Sequence, residues 1–364
     1  MKNILHIIDH CEYGGAEKHT FLLCKEFAKR KNKVILACPP GNFLGKFKEL
    51  ENYGVKIIVV DVRKHLLKSF KMLKKNISEN SIDVIHSHMY RADFLAALLK
   101  ITSKRKIIVV TTIHNMLDHD TSGLKKILYT VIAKFSFFFI DRIFTVSAKV
   151  NETTRKYFKL NKAKVVTVLN GIENDALVVK SNNLLRKELS IDAGKIIICC
   201  TGSLNDRKGQ EVLIKAFAPF KKNAVLVLLG VGPSENKLKE LALNLDIFDE
   251  IFFMGYRNNV LEIVKQCDVY VQPSFWDPLP RAMLEAMGLG IPTIGSNVDG
   301  IPEVIMSGET GLLFQPGDVK ELSKRLETLI SDEELRKRLS KNGRKFIEEH
   351  CTIEKMCDKI DEYI

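Results

Sequence analysis

The sequence predicts an α/β protein made of two Rossmann-like, doubly wound domains that face each other across a cleft. Short apolar runs rich in Ile and Val alternate with longer segments of helical periodicity along the whole chain. Near-continuous apolar strands separated by helices indicate parallel sheets that are covered on both faces. Thirteen such runs are too many for one sheet of this kind, and 364 residues are enough for two domains of ordinary size.

The strand candidates fall into two consecutive groups. The first group is ILHIID, VILAC, IIVVD, DVIHS, IIVVTTIH, RIFTVS and VVTVLN, and the second is IIICCTG, AVLVLLG, EIFFMG, DVYVQPS, IPTIG and GLLF. Because an Asn-Gly turn ends the first group, we predict a first domain at 1–172, a polar linker at 173–183 and a second domain at 184–348. Residues 349–364 have the apolar spacing of a C-terminal helix.

Charge is distributed unevenly along the chain. Residues 1–170 carry 31 Lys and Arg against 14 Asp and Glu, a net charge of +17, whereas the remaining residues carry −5. A basic half suggests nucleic acid, an anionic membrane surface or a phosphorylated acceptor as its partner. Within it, four lysines follow helical spacing opposite an apolar face: Lys64, Lys68, Lys71 and Lys75. This lysine stripe is either a solvated helix face or a contact on the acceptor or membrane side.

Apolar segments and cysteines bear on the compartment. No apolar run approaches 18 residues, so we predict no spanning helix. Leu124–Ile140 is interpreted as a core helix, with a membrane anchor as the alternative. The N-terminal apolar stretch is interpreted as a strand rather than a signal peptide. Eight cysteines without a CxxC pattern indicate small buried side chains in a reducing, cytoplasmic compartment.

The most informative segment is QPSFWDPLPRAMLEAMGLGIPTIGSNVDGIPE, residues 272–303. A strand ends in a Pro-rich loop that carries Asp277, and a short helix opened by Pro280 carries Glu285. A helix start with free N–H groups and a positive dipole end is a natural site for an anion. Two further strand-loop units lead to Glu303 at another helix start. Together these residues predict a site for a ligand that is part phosphate and part polyhydroxyl.

Two other strand ends carry phosphate-binding chemistry. Gly15, in YGGAE after the first strand, lets the backbone approach a ligand closely before a helix begins. The alternative is an ordinary strand-to-helix turn. Arg207 and Lys208, in NDRKG, could grip a diphosphate without a metal ion. The alternative for this pair is a solvated basic turn.

Histidines end two neighbouring strand candidates. His114, in TTIHN, could orient a sugar hydroxyl or accept a proton, or it could be structural. His86 and His88, in HSHM, point to the same side of their strand. We predict a structural or acceptor-lining role for these two, because no Cys, Asp or Glu at suitable spacing completes a zinc site.

The acid-x7-acid pattern of Asp277 and Glu285 closely resembles that of the retaining nucleotide-sugar glycosyltransferases of family 4, which have the GT-B fold. In that family the first acid is usually Glu. YGGAE and the G-x(4–5)-K-G pattern ending at Lys208 also match. The resemblance extends over essentially the whole chain and implies that the C-terminal helix crosses back to the first domain. One family feature is missing, because Ser203 stands where many members carry an Arg for phosphate.

The resemblance implies a role for each site residue. The donor nucleotide and its diphosphate would be held by Gly15, Arg207, Lys208, Leu279, Pro280 and Glu285. Asp277 and His114 would be the catalytic residues that hold the sugar. The family reacts on one face of the sugar, so no protein nucleophile is expected. No metal ion is expected either, because two cations, Arg207 and Lys208, follow a strand and no DxD-type metal site accompanies them, and no cofactor is expected besides the donor.

The implied activity is transfer of a hexosyl or N-acetylhexosaminyl group from a nucleoside diphosphate sugar, expected to be UDP-linked. The acceptor would be a hydroxyl of a glycan, glycolipid or polyprenyl-diphosphate-linked sugar in cell-surface polysaccharide synthesis. The expected location is cytoplasmic, peripheral at the inner face of the plasma membrane. Two alternatives remain, a sugar-nucleotide epimerase of similar two-domain fold and a nucleic-acid-binding protein that uses the basic half.

Overall fold

The chain folds into two compact units. The computed structural model describes residues 1–115, 123–179 and 184–364. The units comprise Met1–Gly171 with Ile353–Ile364, and Ile172–Thr352. The predicted α/β class is confirmed, and every predicted strand is present, seven in the first unit and six in the second.

The first unit contains a parallel sheet. Its strands are β1 Asn3–Ile8, β2 Lys33–Cys38, β3 Lys56–Val59, β4 Val84–His88, β5 Ile108–Ile113, β6 Arg142–Thr145 and β7 Val165–Thr167. They lie in the order β3-β2-β1-β4-β5-β6-β7. The described helices before the second unit are α1 Gly15–Lys29, α2 Leu44–Lys48, α3 Leu66–Glu79, α4 Tyr90–Thr102, α5 Gly123–Phe139 and α6 Ala148–Phe158.

The second unit contains a smaller parallel sheet. Its strands are β8 Ile196–Thr201, β9 Ala224–Leu229, β10 Ile251–Phe253, β11 Val269–Gln272, β12 Thr293–Ser296 and β13 Leu312–Phe314. They lie in the order β10-β9-β8-β11-β12-β13. Its described helices are α7 Leu184–Glu188, α8 Gln210–Phe217, α9 Glu235–Asn244, α10 Val260–Val264, α11 Arg281–Gly288, α12 Val319–Ser331 and α13 Glu333–His350.

Strand order fixes where each unit can bind a ligand. In the first sheet the order reverses between β1 and β4, and in the second between β8 and β11. Loops leave such a pair of strands in opposite directions, so a crevice opens at their carboxyl ends. Gly15, Lys208 and Asp277 follow strands of these pairs, whereas His114 follows β5, the neighbour of β4.

A C-terminal helix, α14 Ile353–Asp361, completes the first unit. Its buried residues Met356 and Ile360 join the core beside Phe27 of α1. Arg30 donates to the carbonyl oxygen of Glu354 at 3.0 Å and forms ion pairs with α14. The chain divides at Thr352 rather than at the predicted residue 348, because α13 runs on to His350.

The first division falls at Gly171, one residue before the predicted end of the first domain. Ile172 pairs with Thr352 in the second unit, and the predicted linker begins there as a 3-10 turn at Asn174–Leu177. Linker residues 180–183 lie outside the described residues.

The lysine stripe is exposed, but Lys64 precedes α3 because Asp61 accepts from its backbone N–H and ends the turn there.

The apolar helix α5 has two different faces. Ala133 and Phe137 are buried, and α5 contacts α4. Val131 and Phe138 are 60% and 78% exposed. Among the described residues, no helix is long and apolar enough to cross a membrane. All eight cysteines lie in the described ranges, and each is a buried free thiol, as predicted.

We expect Ile360→Ala to destabilise the first unit by about 2–5 kcal/mol, because it leaves a cavity where a fully buried side chain joins α14 to α1. Ile101→Ala removes the same atoms from a side chain that is 48% exposed and serves as the matched control. The measurement is urea denaturation followed by circular dichroism. Equal losses in the two variants would show that α14 contributes no core to this unit.

Candidate functional site

A buried ion pair lies at the switch point of the second sheet. Nζ of Lys208 is 2.5 Å from Oδ2 of Asp277, and the two side chains are 15% and 8% exposed. Lys208 ends a 3-10 turn after β8, and Asp277 lies in the loop after β11. Because β8 and β11 are neighbours in the sheet, their loops bring together residues that are 69 positions apart. Removing one partner of such a pair leaves an uncompensated buried charge.

A row of buried polar side chains supports Asp277 from below. The Tyr270 hydroxyl donates to Oε1 of Gln272 at 3.0 Å, and Nε2 of Gln272 donates to Oγ of Ser274 at 2.8 Å. The Ser274 hydroxyl donates to Oδ2 of Asp277 at 3.5 Å. Residues two apart along a strand point to the same side, which aligns the row. From the other side, the Asp277 backbone N–H donates to Oδ2 of Asp299 at 2.8 Å.

Arg207 is held beside this pair by an aromatic ring. Its guanidinium carbon lies 4.3 Å from the centroid of Trp276, a cation–π arrangement that fixes the plane of the guanidinium. The two loops are also locked by backbone contact, since Phe275 N–H donates to the Arg207 carbonyl at 2.8 Å. Gly209 has φ +68°, and a Cβ there would overlap the carbonyl oxygen of Pro273. Only glycine allows this approach.

The helix that carries the second acid begins one residue later than predicted. Pro280 occupies the N-cap of α11 with ψ 116°, so its extended conformation lies before the first turn. The side chain of Glu285 is 24% exposed, and its Oε1 lies 3.3 Å from Nη2 of Arg281. Leu279 is 3% exposed. Glu303 ends a single 3-10 turn rather than beginning a longer helix.

At the switch point of the first sheet, α1 begins immediately after the glycine pair. Gly14 is the N-cap and Gly15 is the first helical residue. A Cβ on Gly14 would lie 2.5 Å from Oε2 of Glu17. Glu17 is buried, and burial raises the pKa of its carboxyl. The backbone of Glu12 donates to Oε1 of Glu17 at 3.4 Å, which ties the loop to the helix.

Five histidines form a histidine cluster in the first unit: His6, His19, His86, His88 and His114. Nδ1 of His6 is 3.4 Å from Nε2 of His88, and Nδ1 of His88 is 3.3 Å from Nε2 of His114. Nε2 of His86 lies 2.8 Å from the Thr112 hydroxyl. Burial lowers the pKa of His6 to about 3 and, with the neighbouring histidines, lowers the pKa values of His86 and His88 well below the usual range.

The structure brings together some of the predicted site residues. Arg207, Lys208 and Asp277 meet in the second unit, while His114 lies in the first and contacts His88. His6 and His19 also lie beside these histidines and were not predicted from the sequence. The available signal was strand register, because His6 on β1 pairs directly with His86 on β4.

A buried acid lies in the first turn of α4, at the same sheet. Asp93 is 1% exposed, and its Oδ1 accepts from the hydroxyls of Ser87 at 2.7 Å and Thr111 at 2.6 Å. Burial raises the pKa of Asp93 to about 7, against 3.8 for an ordinary aspartate, although the two hydroxyls favour the charged form. The fold therefore holds Asp93 more easily as the neutral acid.

Comparison with known proteins identifies the class. Residues 13–176 match the model described as Glycosyltransferase Family 4, and residues 181–346 match that of Glycosyl transferases group 1. The chain is thus a glycosyltransferase, and its two parallel sheets have the GT-B fold. It belongs to glycosyltransferase family 4, as the acid-x7-acid pattern predicted.

Three proteins illustrate these similarities. The N-acetyl-alpha-D-glucosaminyl L-malate synthase of Bacillus anthracis is 30% identical, covering 80% of this chain and 76% of that protein. The N,N'-diacetylbacillosaminyl-diphospho-undecaprenol alpha-1,3-N-acetylgalactosaminyltransferase of Campylobacter jejuni is 26% identical, covering 92% of each. The crystal structure of Anabaena Alr3699/HepE in complex with UDP has a TM-score of 0.86 at 20% identity, covering 99% of this chain and 98% of that one.

Asp93→Asn should become more stabilising, relative to the native protein, as the pH rises from about 4 to about 7. A raised folded-state pKa means that the stability from Asp93 is fully present below pH 3.8 and is lost as the pH rises through about 7. The amide stays neutral and still accepts from Ser87 and Thr111. The measurement is the melting temperature of both proteins across this range.

Asp249→Asn, at an exposed position, is the matched control and should show no such trend. A difference between Asp93→Asn and the native protein that does not depend on pH would contradict the raised pKa.

Proposed function

We propose that the protein is a retaining glycosyltransferase that moves a hexosyl or N-acetylhexosaminyl group from a UDP-linked sugar to a hydroxyl of a glycan or glycolipid acceptor. Its role would be in cell-surface polysaccharide synthesis. The observation that carries the donor half of this proposal is the buried Lys208–Asp277 pair beside Arg207, at the strand ends where a ligand binds in such sheets. Family membership favours sugar transfer over the epimerase and nucleic-acid alternatives.

Arg207 and Lys208 would stabilise the diphosphate leaving group. As the bond to the sugar breaks, negative charge develops on the diphosphate, and fixed positive charges stabilise it most when they need not reorganise. Lys208 is fixed by Asp277, and Arg207 is fixed by the ring of Trp276. With these two charges in place, the transfer needs no metal ion. The backbone N–H groups of Leu279 and Gly15 would complete donor binding, whereas Pro280 has no N–H and contributes shape alone.

The remaining site residues take the roles that the family resemblance implies. Glu285 accepts from the ribose hydroxyls of the donor, a task that suits a carboxylate with two acceptor oxygens. Asp277 and His114 hold the transferred sugar. The side chain of Asp277 is one methylene shorter than that of the Glu usual in the family, which shortens the reach of its carboxylate by about 1.5 Å. Asp277 also contacts Lys208, so the acid that binds the sugar is paired directly with the cation that binds the phosphate.

A basic and apolar surface of the first unit supports a membrane-bound acceptor. Helix α4 contacts both α3 and α5, so these helices form one layer. Lys68, Lys71 and Lys75 are exposed on α3, preceded by exposed Lys64. On α5 the exposed apolar residues share one helical face: Ile127, Leu128, Val131 and Phe138. Cations beside an exposed apolar face are typical of proteins that lie on anionic membranes.

The acceptor proposal draws on the same surface. The Campylobacter jejuni relative is named for a diphospho-undecaprenol substrate. We infer that the present acceptor is also a glycolipid or polyprenyl-diphosphate-linked sugar, reached by peripheral attachment to the inner face of the plasma membrane from the cytoplasm. A thermal-shift screen of nucleoside diphosphate sugars identifies the donor, because binding raises the melting temperature. The anomeric configuration of the product, read by NMR, tests retention.

We expect Lys208→Met and Arg207→Met each to lower kcat/KM for the donor by about 10²–10³-fold, the usual effect of removing one fixed group that stabilises developing charge. Lys215→Met, which removes an exposed lysine of α8, is the control and should keep full activity. Circular dichroism separates lost chemistry from lost folding. If both site variants keep native turnover, the diphosphate is bound elsewhere. Complete loss of activity in a chelator would contradict metal independence.

Lys68→Glu with Lys71→Glu should weaken binding to anionic vesicles at least about tenfold, since each lysine near the surface contributes about 1 kcal/mol. Lys320→Glu with Lys324→Glu makes the same charge change on exposed residues of α12 and should leave binding unchanged. Co-sedimentation with and without anionic lipid measures both. Binding should also fall as salt shortens the Debye length below about 10 Å. A native protein that ignores anionic vesicles at low salt would favour a soluble acceptor.

A further inference from the structure

We propose that His19, His88 and His114 form a binding site for a transition-metal ion of the zinc class. One ring nitrogen of each lies within 4.8 Å of those of the other two. His19 comes from α1, His88 from the end of β4 and His114 from the residue after β5. The site therefore lies at the carboxyl ends of strands in the first sheet. The proposed sugar transfer does not itself require a metal ion there.

The spacing of two ligands already suits a metal ion. Zinc binds histidine nitrogen at about 2.0–2.1 Å in tetrahedral geometry, which places ligand nitrogens about 3.3 Å apart. Nδ1 of His88 and Nε2 of His114 are 3.3 Å apart. The remaining nitrogen pairs are at most 4.8 Å apart, so the nitrogens need to approach each other by at most about 1.5 Å to reach this spacing.

Outer contacts orient two of the ligands. Oδ1 of Asn170 lies 3.0 Å from Nδ1 of His19, and because an amide oxygen only accepts, Nδ1 carries the proton and Nε2 carries the lone pair. If Nδ1 of His88 binds the metal, its Nε2–H can donate to Nδ1 of His6 at 3.4 Å. A hydrogen bond from the second ring nitrogen is the usual support of a metal-binding histidine.

The alternative set His6, His86 and His88 is a poorer candidate. All three of its side chains are fully buried, whereas His114 is only partly buried and gives the outer set a path to solvent. Nε2 of His86 already lies 2.8 Å from the Thr112 hydroxyl. A set of three histidines that reaches solvent through His114 also leaves a fourth position for water, the arrangement of zinc sites that are not purely structural.

A bound metal would occupy Nε2 of His114. Under the function proposed above, the bound metal would prevent His114 from contacting the sugar and would slow transfer. Only this consequence depends on that function. Metal binding itself is independent of that function, because it is measured on the whole 364-residue chain without donor or acceptor. The two proposals can therefore fail separately.

Titration of the metal-free protein with Zn²⁺ by calorimetry, and with Co²⁺ by visible absorption, tests the site. We expect one equivalent to bind and cobalt to show the intense bands of tetrahedral coordination. His19→Gln and His114→Gln should each weaken binding at least about tenfold. His86→Gln is the matched control, because it belongs only to the inner set, and should bind like the native protein. Circular dichroism verifies that each variant is folded.

Two results would overturn the proposal. No saturable Zn²⁺ binding by the native protein would mean that the histidine cluster is a hydrogen-bonded part of the core. Weaker binding in His86→Gln, with native affinity in His19→Gln and His114→Gln, would assign the ion to the inner set instead.

Discussion

A lysine ammonium and an aspartate carboxylate, both largely withdrawn from water, join the two loops that carry the chemistry of the second unit. Taking two charges out of water is unfavourable unless their geometry is good and neighbouring groups satisfy the remaining lone pairs. Lys208 and Asp277 meet this condition through Ser274 and the polar row beneath it. Gly209 is required because the loops approach so closely. Arg207 and Trp276, which flank the pair in sequence, are brought together by the same two loops.

The strands were predictable from the sequence because most strand residues are buried, so strand and apolar run coincide. The Lys208–Asp277 contact was not predictable, although both residues were assigned to one site. It depends on β8 and β11 being neighbours, and short-range patterns do not encode strand order. Pro280 was misplaced by one residue because its fixed φ suits an N-cap as well as a first turn. Lys64 was misplaced because an aspartate side chain ends the turn before the helix.

Strand order explains the first unit in the same way. His6 and His86 are 80 residues apart in sequence but pair in register across β1 and β4. Side chains of alternate residues share a face, so His88 joins them. Rings that were isolated in the sequence thus become neighbours, and burial lowers the pKa values of His86 and His88 well below the usual range. Histidines considered individually in the sequence do not predict the histidine cluster.

The return of α14 to the first unit has a consequence for synthesis on the ribosome. The second unit is one continuous segment, Ile172–Thr352, whereas the first needs Ile353–Ile364 to finish its core. The unit that is begun first is therefore completed last. At translation rates of about 5–20 residues per second, synthesis of residues 172–364 takes roughly 10–40 s, and for at least that time the apolar α1 surface lacks its partner helix. During that interval the nascent chain exposes a surface that chaperones recognise, while the second unit folds behind it.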